Sequence, residues 1–162
     1  MLAAMESPPR DGAAVAVPPP LVYLGAVILG LGLQAFVWPL PLGLPTGLRV
    51  AAALVSAALG VWLIVAAFGL FRKTGQDPKP WEPTPEIIAS GVYRFTRNPM
   101  YLGMALLQVA IGVGLANGWI LVLLPLVLGG VYASAIRHEE AYLERKFGEG
   151  YRAYKASVRC WL

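Results

Sequence analysis

Two polar clusters sit between long apolar runs and hold most of the side chains able to do chemistry. The first is Gly91-Val92-Tyr93-Arg94-Phe95-Thr96-Arg97-Asn98-Pro99-Met100-Tyr101; the second, Arg137-His138-Glu139-Glu140, follows one apolar hairpin later. Pro99 disfavours helical geometry at Asn98, itself a good N-cap, and fits the first position of a helix. That helix begins with free backbone N–H groups beside Arg97, an end that suits a carboxylate or a phosphate. On the residues alone two readings stand: an anion site, or a plain helix cap with Arg97 marking the inner side of a membrane. In the second cluster, neighbouring carboxylates on a helix point about 100° apart. At most one of Glu139 and Glu140 therefore faces a site squarely, and the other meets solvent or Arg137. Glu139 shares a face with Tyr142 and Leu143. The plain alternative is a solvated helix face with intrahelical pairs such as Arg145 with Glu149. No metal is expected: His138 and Cys160 are the single histidine and cysteine, which leaves neither a disulfide framework nor a multi-cysteine zinc site.

The elements that must position these clusters are apolar. The chain is 57% hydrophobic and only 14% charged, too few polar residues to cover a soluble domain of this length. Four runs stand out, at about 21–38, 48–71, 101–116 and 118–136, the second carrying Arg49 near its start and the others no charge. Crossing about 30 Å of hydrocarbon takes roughly 20 helical residues. The second and fourth runs reach that length; the first and third span if flanking residues snorkel or the bilayer thins. The expected fold is all-α: a polytopic membrane protein of about four transmembrane helices plus a C-terminal helix, one domain over 21–162 behind a disordered tail, 1–20. Frequent small residues inside the runs, such as Ala51, Ala52 and Gly60, fit helix–helix packing.

The connections fix a topology. Asn117-Gly118 is a two-residue hinge that makes runs three and four a tight antiparallel hairpin. Of thirteen Lys and Arg, only Arg49 falls on the side of the Pro39–Gly47 loop and the Asn117 hinge; the other twelve lie in the N-terminal tail, the Arg72–Met100 segment and the C-terminal tail. An even number of spans gathers those three on one face, and the basic bias makes it cytoplasmic. The protein is therefore expected in the cell inner membrane with both termini cytoplasmic. The same placement explains the net charge of +4 without nucleic acid. Thr84-Pro85 can open a short helix ended by Gly91, with Trp81, Ile87 and Ile88 at the membrane interface. Leu143, Phe147, Tyr151, Tyr154 and Val158 form a helical stripe, interrupted at Gly148-Glu149-Gly150, that folds the tail back over the Asn98-Pro99 end and closes a cavity.

Together the clusters carry a resemblance. Ser90-Gly91-Val92-Tyr93-Arg94-Phe95-Thr96-Arg97-Asn98-Pro99-Met100-Tyr101, followed by the Glu139–Tyr154 stretch EEAYLERKFGEGYRAY, resembles the isoprenylcysteine carboxyl methyltransferases, whose plan phospholipid methyltransferases share. The likeness runs from about Phe71 to the end; the first two spans match only as generic membrane helices. It implies a methyltransferase using S-adenosylmethionine, bound through Ile87, Ile88, Tyr93, Asn98, Pro99, Met100, Tyr101 and Glu139. Arg97, Glu139 and Arg137 are the residues it places at the chemistry. Two positions depart from the pattern. Asn98 stands where the prenylcysteine enzymes have histidine, and Ala135 where they have a substrate-side arginine, for which Arg137 is the available substitute.

The chemistry agrees. A carboxylate such as Glu139 can pair with the amino group of the cofactor, the helix start can take its carboxylate, and Tyr93 and Tyr101 offer faces for adenine or sulfonium. Methyl transfer depends on in-line positioning and exclusion of water, and no residue is an obvious general base. The expected acceptor is a lipophilic small molecule or lipid bearing a carboxylate or amine, met in the presence of membrane lipids. The alternatives are a sterol-reductase-like oxidoreductase using NADPH and a non-enzymatic membrane scaffold. A small multidrug-type transporter would carry an ionisable residue inside a span, and none lies well inside one.

Overall fold

The computed structural model describes residues 12, 13, 15, 17–79 and 82–162. Every regular element is helical, as the apolar runs require. α1 (Pro19–Phe36) opens on prolines, whose missing N–H groups cost nothing in a first turn, and ends ahead of Pro39. α2 (Thr46–Lys73) ends on Arg72 and Lys73, placed where the helix dipole favours cations. α3 (Pro99–Gly114) follows the polar connection. α4 (Gly118–Val122), α5 (Leu124–Val131), a π turn (Tyr132–Ile136) and α6 (Arg137–Phe147) then form one interrupted helix. α7 (Glu149–Ser157) lies beyond Gly148, whose φ of 54° turns the chain.

Three helices are long and apolar enough to cross a membrane, Pro19–Phe36, Thr46–Lys73 and Gly118–Phe147, with Pro99–Gly114 a shorter apolar fourth. Their outer faces fit lipid: Leu54, Val65 and Leu126 are 65%, 64% and 72% exposed, which water would penalise and hydrocarbon does not. α2 packs along α3 where Gly60 meets Gly103; a Cβ on Gly60 would stand 2.7 Å from the Gly103 carbonyl oxygen. α1 packs on α3, α4 and α5, around a core of Tyr23, Ala26, Ala105, Val127, Val131 and Ile136.

The charge count placed the Pro39–Gly47 loop and the Asn117 hinge together, and they do meet. Pro41 bridges Asn117, the Gly118 amide donates to Leu40 O, the Trp119 indole donates to Trp38 O, and Asn117 Nδ2 reaches Gly30 O. The polar segments lie together at the other end.

Several expectations need correction. The fourth run is not one continuous α-helix: Pro125 supplies no N–H, the helix breaks at Leu123, and the π turn follows. No helix forms over 85–90. Irregular backbone there is held by tertiary bonds instead, the Thr84 amide donating to Tyr142 Oη (3.2 Å) and Gln76 Nε2 to Glu86 O (3.3 Å); a 3-10 turn, Gly91–Arg94, starts where that helix was to end. Of the expected tail, Pro19 and Pro20 belong to α1 and Ala13 is buried. Residues 1–11, 14 and 16, and the interfacial role expected of Trp81, fall outside the described residues.

Candidate active site

The end of α2, the 74–88 connection, the α3 start, α6 and α7 line a cavity that opens to solvent. Ile87, Ile88, Tyr93, Arg97, Asn98, Met100, Tyr101 and Glu139 all line it. Pro99 is buried at the first position of α3, where it sets the direction of the helix. Arg137 is exposed and lies outside the lining.

Glu139 sits three residues beyond the charge-free stretch that ends at Ile136. The Tyr101 hydroxyl donates to its Oε1. Burial pushes the Glu139 carboxyl up to about 7; the Tyr101 hydrogen bond works against that shift, and the neighbouring Glu140 adds to it. The ring of Tyr93 meets Phe71 edge-on, with centroids 6.1 Å apart and planes at 72°. Tyr154 Oη donates to Tyr93 O at 2.8 Å. Burial pushes the Tyr154 phenol up to about 12, so these rings stay neutral and offer π faces to a cation. Glycine at 91, with φ of 58°, lets the 3-10 turn begin against Leu70 and so places Tyr93.

Glu140 departs from the solvent or Arg137 contact expected of the second acid. It is buried, and its Oε1 accepts from Arg97 Nε (3.1 Å) and Nη2 (2.7 Å) while Oε2 pairs with Lys155 at 3.0 Å. The Arg145–Glu149 pair is replaced by Glu149 with Arg152, at 2.6 Å, because Gly148 breaks the helix between positions 145 and 149. Asn98 occupies the N-cap without a capping bond from its side chain; Nδ2 donates to Cys160 O at 3.0 Å. The amides of Met100 and Tyr101, in the first turn of α3, have no acceptor within the helix. Spacing did not single out Gln76. It is buried in the cavity wall, its Nε2 bonded to Glu86 O and its Oε1 without a partner among the described residues. Nothing in a local pattern marks it, since its place depends on how the 71–88 connection folds.

A carboxylate, several neutral aromatic rings, helix-start amides and an orphaned acceptor surround one cavity. The model of the phospholipid methyltransferases matches residues 48–150. The chain belongs to the phospholipid methyltransferase family. That match covers α2 through the start of α7 and so contains most of the cavity's walls. Among relatives, a rice (Oryza sativa subsp. japonica) protein described as a probable protein-S-isoprenylcysteine O-methyltransferase is 34% identical over 82 residues, 51% of this chain and 43% of the relative. The Schizosaccharomyces pombe protein-S-isoprenylcysteine O-methyltransferase is 32% identical over 72 residues, 44% of this chain and 30% of the relative. A Haemophilus influenzae protein described as uncharacterized is 40% identical over 65 residues, 39% of this chain and the whole of the relative. The chain thus spans less than half the length of the two named methyltransferases.

Proposed function

We propose that this family member is an integral-membrane methyltransferase that uses S-adenosylmethionine to methylate a lipophilic acceptor at the cytoplasmic face of the inner membrane. The observation that carries this reading is the Glu139 carboxyl, bonded to Tyr101 and turned into an aromatic-walled cavity at the start of α3. The cavity suits the cofactor part by part. Glu139 is placed to pair with an amino group, the Met100 and Tyr101 amides with a carboxylate, and Tyr93 and Tyr101 with adenine or sulfonium. Gln76 Oε1 is an acceptor awaiting a ligand N–H or O–H.

The bound cofactor supplies an activated methyl group on a sulfonium sulfur that departs as a neutral thioether. The chain's own contribution is binding, orientation and exclusion of water by the buried tyrosine walls. The cations that line the cavity are already spoken for: Arg97 pairs with Glu140 and Lys79 with Asp77. Ala135, where a substrate-side arginine was expected, is fully buried. A carboxylate acceptor therefore meets only paired cations among the described lining residues, and an amine acceptor meets no evident base to take its proton, so the acceptor class is a lipophilic carboxylate or amine. The basic residues at the site's end of the bundle support its cytoplasmic placement.

The test is incubation of the purified protein with methyl-labelled S-adenosylmethionine and a membrane lipid extract, followed by identification of the labelled species. A labelled lipophilic product bearing a carboxylate or an amine is expected. Absence of any labelled product, with binding of NADPH in a parallel titration, overturns the reading in favour of an oxidoreductase.

A further inference from the structure

Arg97, expected at the chemistry, Asn98, expected at the cofactor, and Thr96 beside them spend their side chains elsewhere. Arg97 Nε and Nη2 hold Glu140, and Arg97 Nη1 donates to Lys155 O (3.0 Å) and to Val158 O. The Arg97 amide donates to Arg159 O at 3.0 Å. Thr96 Oγ1 and Asn98 Nδ2 both donate to Cys160 O, at 3.1 and 3.0 Å. Glu140 completes the set from α6 through Lys155 of α7. The carbonyl groups past the end of α7 are thus taken up by a buried strip at the start of α3. The Arg97 and Glu140 side chains are only 10% and 9% exposed, so their pairing is little screened.

We propose that Thr96, Arg97, Asn98 and Glu140 form a latch that fastens α7 and the C-terminal segment to the start of α3, beside the cavity. On this assignment Arg97 and Glu140 are positioning residues: they hold Tyr151 and Tyr154 of α7 in the cavity wall and touch no reacting atom. The inference rests on the function proposed above only for its kinetic consequence; the fastening is testable without any cofactor. A guanidinium is suited to the task because it serves a carboxylate and two carbonyls at once, which an ammonium does with difficulty.

Cys160 reports on the latch directly. It is the single cysteine, half-buried, and its carbonyl is the acceptor shared by Thr96 and Asn98. Full-length protein in lipid nanodiscs is treated with a maleimide, and the rate of Cys160 labelling is measured for wild type, Glu140→Gln, Arg97→Gln, the double variant and the milder Thr96→Val. Labelling is expected to rise at least tenfold in Glu140→Gln and Arg97→Gln and severalfold in Thr96→Val, with the double variant no faster than the faster single one. In turnover, KM for S-adenosylmethionine is expected to rise about tenfold in Glu140→Gln while kcat stays within about threefold.

Unchanged labelling in all variants overturns the latch, as does labelling that multiplies between Arg97→Gln and Glu140→Gln. A fall confined to kcat, with labelling and KM unmoved, makes Arg97 a catalytic residue instead. If the larger substitutions fail to insert, Thr96→Val decides alone by its labelling rate. Should wild type fail to bind the cofactor, the proposed function falls while the labelling series still judges the latch.

Discussion

Tyr101, from the first turn of the third helix, donates its hydroxyl to Glu139, which lies 38 residues further along the chain. That bond closes the gap between the helix entering the bundle and the helix leaving it. Tyr101 is in turn tied to the first helix, for Tyr23 Oη donates to its carbonyl at 2.8 Å. Three helices are thus joined through Tyr101.

Removing the charge while keeping the shape tests what that carboxyl is for. Glu139→Gln can still accept from Tyr101 but cannot form a charge-assisted bond to an amino group. Calorimetry with S-adenosylhomocysteine, which retains that amino group, is expected to show affinity reduced about tenfold to a hundredfold, the about 1.5–3 kcal/mol of a hydrogen bond to a charged group. Wild-type affinity in the variant refutes the assignment of Glu139.

The raised Glu139 value makes a pH signature. The folded chain holds this proton more tightly than the unfolded chain, whose carboxyl titrates near the ordinary 4.5. Between about 4.5 and about 7 the folded state therefore binds more protons, and the contribution of this group to stability falls as pH rises through that window. Relative to Glu139→Gln, the ligand-free wild type is expected to lose melting temperature from pH 5 to pH 8. Cofactor binding, which needs the ionised carboxylate, is expected to strengthen over the same range.

The packing of the second helix on the third has little room to spare. A Cβ added at Gly60 meets the Gly103 carbonyl oxygen at 2.7 Å, and one added at Gly25 meets nothing within 4 Å. Gly60→Ala is expected to cost about 1–3 kcal/mol through overpacking, read as a lowered melting temperature, and to reduce cofactor affinity because α2 carries Phe71 into the cavity wall. Gly25→Ala, measured alongside, is expected to be neutral or slightly stabilising.

Arg137 is exposed and outside the cavity lining. Arg137→Ala is expected to leave kcat/KM within about twofold, the range of ordinary surface substitutions. A loss of tenfold or more would restore it as the stand-in for the arginine missing at Ala135.

The apolar runs and their charge asymmetry were enough to read four helices and the end at which each connection lies, because hydrocarbon imposes length and polarity rules on every span. The start of α3 was legible for a different reason: Asn98-Pro99 fixes where a helix begins whatever surrounds it, while the lining residues around it came from the family resemblance. The partners of Arg97 and Glu140 were not legible. Their bonds reach 58 residues to Lys155 and 43 residues between the two, and no local periodicity encodes such contacts. The 82–90 segment misled for a related reason. Thr84-Pro85 is a sound helix opening, yet Tyr142 and Gln76 take its backbone groups first.

The π turn at Tyr132–Ile136 fits one extra residue into its helix. Everything downstream is thereby rotated by about 100° from where an unbroken helix would carry it. Rewinding those same residues as unbroken α-helix would bring His138 round to the direction Glu139 now takes and set Glu139 opposite Arg97. The identity of the acid that greets the ligand is therefore written in the winding of five residues that never touch it.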